Sequence, residues 1–106
     1  MAYLRLPTDA PIYKEPGVRD NTPGPKSPHI ELLFGDGFAT VLEPVPDEGN
    51  FVTVAVVPMS PSSRGSILLQ SSDPFVAPLI DPNFLTEKLD VYTFVEGMID
   101  GPRLQL

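Results

Sequence analysis

Phe51-Val-Thr-Val-Ala-Val-Val-Pro58 is the stretch on which the fold turns. Its β-branched residues fall at both odd and even positions, so neither side of a strand built from them would be polar. Such a strand asks for cover on two sides. Upstream, His29-Ile-Glu-Leu-Leu-Phe34 is again rich in strand formers and runs into Gly35-Asp36-Gly37, a turn signal. Between the two lies Glu43-Pro-Val-Pro-Asp-Glu-Gly49, an acidic connection stiffened by proline. Downstream, Ser60-Pro-Ser-Ser-Arg-Gly65 reads as a turn and Ser66-Ile-Leu-Leu-Gln-Ser71 as a third strand. The short link predicts that this third strand lies antiparallel to the second.

Further out the patterns change. Residues 1–28 hold Pro7, Pro11, Pro16, Pro23, Pro25 and Pro28. Proline fixes φ, removes a donor and biases its predecessor away from the helix, so this arm is expected to be extended, with no helix or central strand. Leu4, Leu6, Ile12 and Tyr13 give it apolar side chains with which to dock. Ser72-Asp-Pro74 and Ile80-Asp-Pro-Asn83 are turns in which an Asp caps its own backbone. After them Leu85, Leu89, Tyr92, Val95 and Met98 or Ile99 recur at helical spacing. This predicts one amphipathic helix within 84–99, regular from about 86, with Thr86 as N-cap, Gly97 as a weak point and Gly101-Pro102 as the stop.

The expected class is α+β: a piece of an antiparallel sheet of about three strands, one amphipathic helix and long proline-rich loops. One helix covers one face of a sheet at best, so the pattern implies a partial domain. Its expected layout is an arm over 1–28, strands over 29–71, a helix over 84–99 and a tail over 100–106.

Composition removes whole classes of function. The chain has 106 residues, 7 Lys+Arg against 14 Asp+Glu and a formal charge of -7, with its cations scattered, so it offers no footprint for nucleic acid. It has no Cys and a single His, which excludes thiolate chemistry and a multi-histidine metal site. No apolar run approaches the roughly 20 residues of a membrane span, and Met1 to Pro7 does not read as a secretory leader. Gly-x-Ser-x-Gly, Gly-x-Gly-x-x-Gly and the phosphate-binding Gly-x-x-x-x-Gly-Lys-Ser/Thr are all missing from the sequence. No catalytic, cofactor-binding or metal-binding residue is assigned, and His29 reads as a strand-edge histidine. Phe38, just after the Gly-Asp-Gly turn, and Phe34, before it, are the candidates for lining a substrate pocket.

Three blocks look familiar in their order and spacing. Ser-Pro-His-Ile-Glu-Leu-Leu-Phe (27–34), Ser-Pro-Ser-Ser-Arg-Gly-Ser-Ile-Leu-Leu-Gln-Ser (60–71) and Asp-Pro-Phe-Val-Ala-Pro-Leu-Ile-Asp-Pro-Asn-Phe-Leu (73–85), followed by Asp90, resemble the glucose-methanol-choline (GMC) oxidoreductases. The branch they resemble is that of the fungal aryl-alcohol oxidases and related dehydrogenases. The likeness spans about residues 2–98 and fades after Gly97.

The resemblance implies a Rossmann-type FAD domain and a substrate domain whose antiparallel sheet walls a cavity facing the flavin. It also implies oxidation of a small alcohol by hydride transfer to the flavin, with a histidine taking the hydroxyl proton. In the family that histidine sits in a His-Pro-x-Gly-Thr-like region and the FAD fingerprint is glycine-rich. Neither motif occurs here, and His29 matches neither. By position, Phe38 corresponds to the aromatic loop near the access path, with small Ala39 beside it. Ser63-Arg64-Gly65 and Ile80 to Asn83 match structural turns. The expectation is therefore a piece of a substrate-binding domain, inactive alone, whose FAD domain belongs to the same polypeptide and which in that branch would be extracellular. The alternative left open by the residues is a non-catalytic acidic module that engages a partner protein through Phe38 and the arm.

Overall fold

A computed structural model of the protein describes residues 1–40 and 43–103. Strands β2 (Ile30–Asp36) and β3 (Val52–Pro58) pair antiparallel along their whole length, with Ile30 opposite Pro58, Leu32 opposite Val56 and Phe34 opposite Val54. Strand β2 therefore continues through Gly35 and Asp36, and the turn begins at Gly37, where φ is 103°. Side chains alternate across a strand, so Ile30, Leu32, Phe34, Val54 and Val56 share one face.

The third strand of this sheet comes from the proline-rich arm. Strand β1 (Ala2–Leu4) pairs antiparallel with β2, Ala2 opposite Leu32 and Leu4 opposite Ile30. It occupies an edge and stops before Pro7, which is where a proline-bounded strand is tolerated. The arm then makes a 3-10 turn over Pro11–Lys14. Leu6, Ala10 and Ile12 from the arm are buried together with Ile30, Leu32 and Leu89. Half of the fully buried apolar cluster is thus supplied by the segment with the least regular sequence.

The segment expected as the third strand pairs elsewhere. Strand β4 (Ser66–Leu68) runs antiparallel to β5 (Leu79–Asp81) as a separate two-stranded ribbon, with Ile67 opposite Ile80. The link over 60–65 does not fold back on β3, because it is tied to the helix instead. Gly65 also approaches the β5 end so closely that a Cβ there would stand 2.2 Å from the Asp81 carbonyl oxygen.

Helix α1 (Lys88–Asp100) lies across β2 and β3. It begins two residues later than expected, and Glu87, not Thr86, is at the N-cap with no side-chain cap of its own. The Ser63 hydroxyl accepts from the Thr86 and Glu87 amides at 3.0 and 3.1 Å, so capping is provided from another loop. The buried face is Leu89, Asp90, Thr93 and Gly97, whereas Val95, Met98 and Ile99 are 46%, 56% and 41% exposed. Small residues face the sheet because the approach is close: a Cβ on Gly97 would lie 2.4 Å from Val56 Cγ1 and 3.0 Å from Ile30 Cγ2. The glycine that weakens the helix as a helix is what seats it on the sheet.

β3 is covered by α1 on one face only. On the other, Ala55 is exposed, as are Leu33 of β2 and Tyr3 of β1. The helix ends as expected at Gly101, followed by a 3-10 turn over Gly101–Arg103. The last residues of the expected tail, 104–106, lie outside the described residues.

Candidate functional site

Phe38 is held by a clip between the end of β2 and the start of β3. The Thr53 hydroxyl donates to the Gly37 carbonyl at 2.8 Å and accepts from the Ala39 amide at 2.9 Å, so it brackets Phe38 on both sides. Gly37 N–H also donates to the Phe51 carbonyl at 2.8 Å. The Phe38 ring meets Phe51 edge to face, with centroids 5.2 Å apart and planes at 67°, an arrangement aromatic pairs favour. Phe38 is half-buried. Phe34 lies on the helix-facing side of β2 and packs against the buried cluster.

Two hollows lie away from both rings. One groove runs between the 3-10 turn and α1, lined by Pro11, Ile12, Lys88, Val91 and Tyr92, with Glu15 and Lys88 bridging its rim at 2.8 Å. An apolar cleft of about 370 Å³ opens at the base of the ribbon among Pro58, Pro61, Pro82, Phe84 and Phe94.

Two buried polar residues organise the arm and the loop over 60–65. His29 precedes β2 and is 3% exposed; the strand-edge position holds, but its ring faces inward. Its Nδ1 accepts from the Leu6 amide at 3.2 Å, and its Nε2 stands 3.0 Å from the Tyr13 hydroxyl and 3.2 Å from Asp20 Oδ1. Burial lowers its pKa; the Asp20 carboxylate pulls it up and the Arg5 cation down, leaving it below the ordinary value. For Asp20, burial opposes ionisation, but the Thr22 hydroxyl and amide, His29 and Arg5 hold its carboxyl at about 2.

Asp90, 2% exposed, is the residue whose role the spacing did not disclose. Its carboxylate accepts from the Ser62 amide at 2.8 Å, the Ser63 amide at 2.7 Å and the Ser63 hydroxyl. Burial raises its pKa, yet these hydrogen bonds and Arg64 outweigh that and keep it ionised below the usual carboxylate range. The one available signal was an acid in the first helical turn downstream of Ser62-Ser63 in a loop, a pattern far too common to assign.

The segment leading into α1 does not fit the diphosphate of a dinucleotide cofactor. A diphosphate needs free backbone N–H groups at a glycine-rich turn entering a helix. Here the amides of Thr86 and Glu87 are engaged by Ser63, and the first turn of α1 carries Asp90. Among the described residues no three His, Asp or Glu side chains converge on a metal position, and no helix is long and apolar enough to cross a membrane.

No family model matches the chain. It is 35% identical to pyranose dehydrogenase 3 of Leucoagaricus meleagris over 95 aligned positions, covering 80% of this chain and 16% of that protein. It is 35% identical to glucose dehydrogenase [FAD, quinone] of Drosophila pseudoobscura pseudoobscura over 86 positions, 76% of this chain and 14% of that one. With dehydrogenase eriK of Hericium erinaceus it shares 31% over 87 positions, 82% of this chain and 12% of the relative. The chain thus spans less than a fifth of the length of these relatives, yet most of it aligns with each. With the block order of the sequence, these matches place the chain in the glucose-methanol-choline oxidoreductase family.

Proposed function

We propose that this chain forms part of the substrate-binding domain of an FAD-dependent oxidoreductase acting on CH–OH donors, and that it supplies cavity wall without redox machinery. The observation that carries this reading is missing cover: the sheet of β1, β2 and β3 has a second layer on one face only, and among the described residues the ribbon of β4 and β5 has none. Residues 64–88 are exposed throughout, including Phe75 at 94%, Leu69 at 86% and Phe84 at 83%. Large apolar side chains this exposed ask for a partner surface, and a flavin-binding body from the same polypeptide would bury them. In this reading Phe38 stands at the lip of the cavity, oriented by Thr53 and Phe51, and Phe34 stiffens the wall behind it. The substrate would be a small alcohol or sugar met by apolar and aromatic contact. The flavin and the group that takes the hydroxyl proton lie outside these residues, so the chain alone holds no reacting centre.

The test uses the purified chain of 106 residues. Titration into FAD is expected to leave flavin fluorescence and its polarisation unchanged. Addition of an aromatic alcohol or glucose with FAD and a quinone or dye acceptor is expected to give neither peroxide nor acceptor reduction. Tight flavin binding, or turnover above that of free FAD, would contradict the proposal.

A further inference from the structure

Besides the β1 pairing, the buried apolar contacts and the Glu15–Lys88 bridge, the arm is tied to the body through one imidazole. The Leu6 amide donates to His29 Nδ1, and Tyr13 and Asp20 meet Nε2, so three arm residues converge on a single ring. A ring nitrogen that accepts from a backbone N–H carries no proton, which makes the ring the neutral Nε2–H tautomer. The main chain of His29 is itself pinned: its amide donates to the Leu4 carbonyl, and its carbonyl accepts from the Met59 amide, both at 2.9 Å.

The charged groups around the ring are few and already engaged. From the arm come Asp20 and Arg5; the guanidinium pairs with Asp20 and also donates to the Ser27 carbonyl and to the Thr22 hydroxyl at 3.1 Å. Tyr13 contributes a hydroxyl that is neutral near pH 7, its pKa being raised by burial. From α1, Asp90 and Thr93 border the same small cavity beside the ring, with the Asp90 oxygens taken by the amides of Ser62 and Ser63. A proton added at Nδ1 would point straight at the Leu6 N–H. Asp20 already faces the other nitrogen and its charge is shared with Arg5, so it cannot restore the lost bond.

We propose that His29 is an acid-released pin, in which a second proton on its imidazole breaks the Leu6 N–H···Nδ1 bond and lets the arm around residues 5–13 open from the β2–β3–α1 body. The device is independent of the catalytic reading above, since it needs only this chain. Because the docked state disfavours the charged ring, docking is fully present above the ordinary histidine pKa of 6.5 and weakens as pH falls below it.

The test is residue-resolved amide exchange on the 106-residue chain from pH 7.5 to 5, corrected for intrinsic rates. Protection at Leu6 and Tyr13 is expected to be constant above pH 7 and to fall about tenfold per pH unit just below 6.5, while Leu33 and Val57, whose amides pair β2 with β3, hold theirs. In His29→Asn, whose side-chain oxygen can accept from Leu6 but cannot titrate, arm protection is expected to stay flat. Should that variant not fold, the 15N shifts of the only histidine in the wild-type chain decide: Nε2–H at pH 7.5, with a midpoint that tracks arm exchange. Flat arm exchange in the wild type, an equal fall in His29→Asn, a fall shared by Leu33 and Val57, or an Nδ1–H tautomer would each overturn the pin.

Discussion

The sheet of β1, β2 and β3 and the ribbon of β4 and β5 are built from equally apolar strands and meet opposite fates. Leu32 and Ile30 are 0% and 1% exposed under α1, whereas Ile67 and Ile80, paired across the ribbon, are 71% and 66% exposed. Both pairings are antiparallel and in register. The difference is cover: the body has a helix and a docked arm on one face, and the ribbon has neither. Strand chemistry decides that a segment pairs, and only a second layer decides whether it is buried. The ribbon is held at its base instead, through Asp90 on the loop over 62–63 and the 2.8 Å bond from the Asn83 side chain to the Arg64 carbonyl.

That contrast can be broken by substitution. Leu32→Ala removes a fully buried side chain and is expected to cost about 2–5 kcal/mol, read as a lower urea midpoint for the whole body. Gly97→Ala gains helix propensity but drives a methyl into Val56 and Ile30, and a net loss of about 1–3 kcal/mol is expected in the same assay. Asp90→Ala strips the acceptor from two loop amides and is expected to cost about 1–3 kcal/mol. Its distinguishing mark is earlier proteolytic cleavage in 60–65 than in β2 or β3. Thr53→Val leaves the Gly37 carbonyl and Ala39 amide without their shared partner, for about 0.5–1.5 kcal/mol, with Thr53→Ser restoring most of it. Its signature is loss of the ring-current shift between Phe38 and Phe51. At the small end, Leu69→Ala on the ribbon is expected to stay within about 0.5 kcal/mol of the parent, because an 86%-exposed side chain has little to lose.

Acid sharpens the same contrast. The Asp20 carboxyl sits at about 2 against an ordinary 3.8, so its stabilising contribution is present above about pH 4 and lost as pH falls toward 2. Asp20 pairs with Arg5 inside the arm and meets the His29 ring of the body at 3.2 Å, so this loss should be seen in the body and not in the ribbon. Asp20→Asn is expected to flatten that limb of the pH–stability curve.

Local patterns carried much of this architecture. The β2 and β3 strands, the helix, its stop at Gly101 and the Asp-capped turns at Asp73 and Asp81 were legible because each depends on neighbours in the chain. The partner of β4 was not, since a link of six residues permits a hairpin but cannot reveal that Asp90 draws Ser62 and Ser63 aside. Strand β1 was hidden by the prolines that follow it, although the residues before Pro7 leave room for a short edge strand. The helix face was misassigned because apolar periodicity was followed past Tyr92, while close packing on the sheet selected Thr93 and Gly97. At the candidate site, Phe38 was legible from the turn before it, and its clip was not, because Thr53 lies fourteen residues beyond Ala39.

The central claim is that the chain has one covered body and one ribbon awaiting cover, and amide exchange measured by segment tests it most directly. At pH 7.5 the amides paired within Ile30–Asp36 and Val52–Pro58 and those of α1 should exchange slowly and together. Those of Ser66–Leu68 and Leu79–Asp81 should exchange near the rate of an unprotected chain. Equal protection of ribbon and body would mean that the ribbon is stable without a second layer, and would contradict the account.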